Sequence, residues 1–138
     1  MKLSIDTSAF AKRYIQENGS EALDQLLQKA TDLALCVILV PEMISGLNRR
    51  LREENLSPVQ YRLVKKQLLS DIHDATILQI TPAVIARSVQ LLEKNTLRAM
   101  DALHIACAAE WGADLFVTSD KRQMDAARKS GLISRFIG

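Results

Sequence analysis

Aromatic residues make up only 4% of this 138-residue sequence, with one Trp, two Tyr and three Phe. Base stacking of the kind used by single-strand nucleic-acid binders therefore has little to work with. Histidine is as scarce: His73 and His104 lie far apart and neither has ligand spacing to the other. The two cysteines, Cys36 and Cys107, form no CxxC and have no neighbouring Cys or His. This excludes a zinc site and a disulfide framework and leaves two buried free thiols as the reading. No apolar run approaches the roughly 20 residues needed to span a bilayer. The start "MKLSID" also lacks the apolar core of a signal peptide. The expected location is cytoplasmic, with no membrane partner. The chain has no GxSxG, no GxxxxGK[ST] and no cysteine with a matching histidine signal, so a covalent nucleophile and a phosphate loop are both excluded as carriers of chemistry.

What the sequence does have is apolar substance, at 48% of residues, enough for a core without staples. The expectation is one domain over residues 1–138. The net charge is +2, which argues neither for nor against a polyanionic partner. Its distribution is uneven. Residues 49–66 carry Arg49, Arg50, Arg52, Arg62, Lys65 and Lys66 against Glu53 and Glu54, and a second basic cluster lies near the C-terminus.

Short β-like runs alternate with helical stretches, the order of an α/β fold with a mainly parallel sheet. Strands are expected at 2–6, 33–38, 76–80, 114–118 and 133–137. Leu23, Leu26, Leu27 and Ala30 share one face at helical spacing. Thr81 followed by Pro82, and Ser57 followed by Pro58, are helix starts with a hydroxyl cap and proline at the first position. Helices at roughly 41–54 and 58–73 make a hairpin that packs on the body or meets another chain.

Acidic residues recur at the strand ends. Asp6 closes the first strand, Glu42 follows the second in a helix opened by Pro41, Asp101 opens "DALHIACAAEWG", and Asp120 trails "FVT" by two residues. Singly, Glu42, Asp101 and Asp120 read as capping or first-turn acids. Asp6 is different, because Thr7 or Ser8 can cap the next helix. In a parallel sheet these positions share one edge, the crevice where ligands bind. Four converging carboxylates raise one another's pKa unless a cation is present, and Mg2+ or Mn2+ suits carboxylate and water oxygens. Such a site matches hydrolysis of a phosphodiester by metal-activated water. His104, three residues beyond Asp101 on the same helix face, could orient that carboxylate. Arg98, Lys121 and Arg122 are the cations placed beside the acids to meet a phosphodiester substrate.

Four stretches, "IDTSAF", "VPEMISGLNRR", "LRAMDALHIACAAEWGADLFVTSD" and its ending "FVTSDKRQ", resemble the PIN domain family, and within it the VapC-type toxins of toxin–antitoxin pairs. The resemblance implies a three-layer α/β/α sandwich with a mainly parallel four- or five-stranded sheet. It also implies a Mg2+- or Mn2+-dependent ribonuclease in which Asp6, Glu42, Asp101 and Asp120 are the acidic quartet, both catalytic and metal-ligating. Thr118 matches a hydroxyl residue that stands just before the last acid, where it can hydrogen-bond a carboxylate or a metal-bound water. The implied partners are an RNA substrate, a small antitoxin protein and a second copy in a homodimer. Pro41 and Met43 depart from the commonest form of the second motif without removing a ligand. A catalytically silent module that binds RNA or protein through the same surface is the alternative, and a metal-dependent phosphatase fits less well because "DTS" rather than DxD follows the first strand.

Overall fold

The computed structural model describes all 138 residues. Five strands form one parallel sheet: β1 (Lys2–Ile5), β2 (Asp32–Cys36), β3 (Thr76–Leu78), β4 (Leu115–Thr118) and β5 (Ser134–Phe136), in the order β3-β2-β1-β4-β5. Each expected strand is present, shorter by one or two residues, with β2 starting one residue earlier than expected. Helices α1 (Thr7–Phe10), α2 (Ser20–Lys29), α3 (Leu39–Arg52), α4 (Pro58–Asp74), α5 (Pro82–Lys94), α6 (Ala99–Trp111) and α7 (Lys121–Lys129) fill the connections, with a 3₁₀ turn at Ala11–Arg13. No helix is long and apolar enough to cross a membrane.

Parallel strands must be joined by crossovers, and those helices cover both faces of the sheet. Side chains alternate faces along a strand. Leu3, Ile5, Leu35, Leu115 and Val117 join one core cluster with Leu23 and Leu26 of α2, Met43 of α3 and Leu68 of α4. Cys36 and Phe116, from intervening positions, join the other with Val84 and Leu91 of α5, Ala102, Ile105 and Ala106 of α6 and Ala126 of α7. The result is a three-layer sandwich. Ala102, Ala106 and Ala108 of α6 are fully buried, and their small size lets that helix lie close over the sheet.

Local signals set the helix starts. Ser57 and Gln60 form a reciprocal capping box at Pro58, and the Thr81 hydroxyl accepts from Val84 N. Helix α3 begins two residues before the expected Pro41. Proline is tolerated there because the first-turn N–H groups have no helical partner to lose. Gly112 ends α6 in the left-handed region at φ 79°, which a residue with a Cβ adopts only under strain.

The chain steps outward from β1 to β2 and β3, then returns through α5 and α6 to β4 on the other side of β1. The order reverses between β1 and β4. Such a switch point opens a crevice at the carboxyl ends of the strands. Asp6 follows β1 there, its N–H bonded to Val117 O at 3.1 Å, and Asp120 follows β4.

Candidate active site

All four predicted acids, Asp6, Glu42, Asp101 and Asp120, line one cleft of about 240 Å3 with Thr7, Ser8, Arg98, His104 and Gln123. None of its lining residues is hydrophobic.

Asp6 is fully buried and caps α1, accepting from Ala9 N at 2.9 Å. This corrects the expectation that Thr7 or Ser8 would cap: those residues are the first two of the helix, and their hydroxyls serve carboxylates instead. Ser8 Oγ lies 2.9 and 2.8 Å from the two Asp6 oxygens, and Thr118 Oγ1 donates to Oδ2 at 2.7 Å. Burial pushes the Asp6 carboxyl above its ordinary value, outweighing the attraction of His104 and the hydrogen bonds from Thr118, Ala9 and Ser8. Three donors reach a group with four acceptor positions, since one serine proton serves one oxygen at a time. One position remains for a cation.

Glu42 Oε1 accepts from Thr7 Oγ1 at 2.7 Å and meets His104 Nε2 at 2.6 Å. Desolvation raises this carboxyl, yet the His104 and Thr7 hydrogen bonds with the charges of His104 and Arg98 together hold it below its ordinary value. The same pairing lifts buried His104 above its usual value against its own desolvation. His104 therefore orients Glu42, not Asp101 as expected. The imidazole reaches across from α6 to α3, and Asp101 is already bonded by Arg98 Nε at 3.1 Å and Gln123 Nε2 at 3.0 Å.

Asp101 is the third residue of α6 rather than its opener. Asp120 does cap α7, accepting from Arg122 N at 2.9 Å. The Thr118 hydroxyl accepts from Asp120 N at 3.0 Å while donating to Asp6, so it couples the first and last acids. Among the expected RNA-facing cations, the Arg98 side chain is 81% exposed though paired to Asp101, Lys121 sits 5.4 Å from the Phe136 ring, and Arg122 is exposed. Gln123 is a site residue that the sequence reading missed. Its position three residues after Asp120, one turn along α7, was the available signal.

Glu42 Oε2 and Asp120 Oδ2 accept no hydrogen bond from the chain and remain available to a cation. No three His, Cys, Asp or Glu side chains are grouped closely enough to enclose an ion by themselves. An ion held in the cleft would thus take one or two carboxylates directly and reach the others through water, the habit of Mg2+. The oxygen-only donor set fits such a hard cation and not zinc. Cys36 and Cys107 are buried free thiols with sulfurs 3.5 Å apart, outside the cleft.

No curated protein matches the chain in sequence. Its fold is similar to that of several solved structures. VapBC2 from Rickettsia felis, bound to a DNA fragment from its promoter, superposes with a TM-score of 0.72 at 16% identity, covering 99% of this chain and 98% of that one. A toxin–antitoxin complex from Klebsiella pneumoniae gives 0.68 at 16% identity over 88% and 89% of the two chains. VapC20 of Mycobacterium tuberculosis, a toxin that cleaves the sarcin–ricin loop, gives 0.68 at 15% identity over 95% and 96%. The family model of the PIN domain matches residues 3–129, so the order of strands, the acids at their ends and the sequence agree that this chain belongs to the PIN domain family.

Proposed function

We propose that the chain is a Mg2+- or Mn2+-dependent endoribonuclease and the toxin of a toxin–antitoxin pair, acting in the cytoplasm as a homodimer held in check by a small antitoxin protein. The observation that carries this reading is the convergence of Asp6, Glu42, Asp101 and Asp120 on one wholly polar cleft. Membership of the PIN family and the fold shared with VapC20 and with toxin–antitoxin complexes support it.

In this reading Asp6, Glu42, Asp101 and Asp120 hold the ion. When bound it supplies charge stabilisation to the phosphate and lowers the pKa of water. The remaining work falls to the chain. Thr118 and Ser8 fix the Asp6 carboxylate, and His104 with Thr7 fixes Glu42. Gln123 fixes Asp101. Arg98 pairs with Asp101 through Nε alone, which leaves the other end of an exposed guanidinium to meet a substrate phosphate.

The test is cleavage of a structured RNA by the purified protein with Mg2+ or Mn2+, beside EDTA and the Asp6→Asn variant. Cutting that disappears in both controls is expected. A protein freed of any partner that binds divalent metal yet cuts no RNA would instead be a catalytically silent RNA- or protein-binding module.

A further inference from the structure

The acidic cleft adjoins a second hollow that only one member of the quartet lines. This groove of about 360 Å3 runs between α3 and the start of α6 and shares Glu42 with the cleft. Its volume lies in the range of about 300–1,000 Å3 that small ligands occupy. Ile38, Pro41, Ser45 and Arg49 border it from one face of α3, at helical spacing. Met100 closes the opposite side, next to Asp101 in sequence, with half of its surface open to solvent. The cleft has no apolar wall, whereas the groove combines apolar surfaces with one cation. Arg49 forms no ion pair and no side-chain hydrogen bond, so its charge is free to meet an anion.

Gly46 supplies a separate observation. It stands in the interior of the 14-residue helix α3 and lines the groove. Glycine is among the least favourable residues at such a place. A Cβ built there meets no atom within 4 Å, so nothing in this chain requires its absence. The helix backbone at Gly46 is therefore open on the groove side.

We propose that this groove seats the unpaired nucleotide next to the phosphodiester held in the acidic cleft. Its base lies against Met100 and Pro41, with Gly46 as the open floor, and its outer phosphate turns to Arg49. Ser45, exposed on the same face, offers a hydroxyl to the base edge. The inference rests on the ribonuclease reading and adds a substrate subsite to it. An RNA fits better than a polypeptide because the groove and the acidic cleft, which share Glu42, each present one exposed arginine, Arg49 and Arg98, to a phosphate backbone.

The experiment compares Gly46→Leu, Arg49→Gln and, as a charge-matched control on α4, Arg62→Gln. Cleavage kinetics are measured on a structured RNA with Mn2+. Binding is read separately, by anisotropy of a labelled mixed-sequence single-stranded RNA with Mg2+ in an Asp6→Asn background that cannot cut. Gly46→Leu and Arg49→Gln should each raise KM and Kd about tenfold while kcat stays within twofold, the pattern of lost uniform binding. Arg62→Gln should move neither by more than twofold. The proposal is overturned if Gly46→Leu leaves KM and Kd unchanged, as it would if the groove received a polypeptide, or if Arg62→Gln weakens RNA as much as Arg49→Gln. Should the wild type cut nothing, the ribonuclease reading fails, and the binding arm still decides whether the groove takes RNA.

Discussion

At the scale of single residues, the site depends on hydroxyls and amides that fix the carboxylates as much as on the carboxylates themselves. Thr118 is the clearest case. It is fully buried, donates to Asp6 and accepts from Asp120 N. Thr118→Val keeps the shape but leaves Asp120 N without its partner and removes one of the three donors to buried Asp6, which costs about 1–3 kcal/mol. Urea denaturation should register that loss, and Thr118→Ser should restore most of it. His104→Ala tests the other carboxylate. Without the imidazole, Glu42 keeps only Thr7, and cleavage should fall about 10–100-fold, as when an outer partner of a metal ligand is removed. A smaller effect than in Asp6→Asn, at unchanged stability, would mark His104 as a positioning residue; activity equal to wild type would remove it from the site. The quartet was legible in the sequence because each acid ends an apolar run or begins a helix, and those places share one sheet edge. Its bonding was not. Whether His104 turns to Asp101 or Glu42 depends on how α6 sits over β2, which spacing along one helix does not contain.

Elements are joined by fewer polar contacts than the site, and one of them decides how α4 meets the body. Asp71 on α4 accepts from Arg13 Nε at 2.8 Å, from the Tyr14 hydroxyl at 2.6 Å and from Gln67 Nε2 at 3.0 Å. Desolvation raises the Asp71 carboxyl, but the hydrogen bonds from Arg13, Tyr14 and Gln67 and the Arg13 charge outweigh it and hold the group below its ordinary 3.8. A depressed aspartate contributes stability that is present above its unfolded pKa and lost as pH falls through the folded one. Asp71→Asn should therefore lower stability by about 1 kcal/mol near neutral pH, since Arg13 is a third exposed and the pair is screened. The gap between variant and wild type should close below roughly pH 4, the ordinary aspartate value, when both are followed by thermal melting. A gap that persists in acid would assign the loss to packing instead of charge. Sequence pattern found α4 from Ser57, Pro58 and its apolar spacing, yet offered no sign of this tie, because Arg13 and Asp71 lie 58 residues apart.

Across the whole molecule, a sheet order of β3-β2-β1-β4-β5 puts the acids of β1 and β4 side by side at the switch point and leaves the basic residues of α3 and α4 on the surface. The overall balance of +2 conceals this separation. Like charges gathered in one cleft cost folding energy that a cation recovers by binding the native state alone. At a concentration 100 times its Kd, an ion adds about 2.7 kcal/mol, which in a chain of this size corresponds to a rise in Tm of roughly 10 °C. Thermal melting of the wild type with Mg2+ or Mn2+ against EDTA should follow this rise, and Asp6→Asn or Asp101→Asn should flatten it. The increase should also depend on ion concentration as mass action requires, in contrast to non-specific screening by monovalent salt, which is checked with KCl at equal ionic strength. A melting temperature that responds to KCl and Mg2+ alike would mean that the four carboxylates share a cleft without sharing an ion, with Asp6 and Asp120 serving as helix caps and Glu42 and Asp101 as partners of His104, Thr7, Arg98 and Gln123.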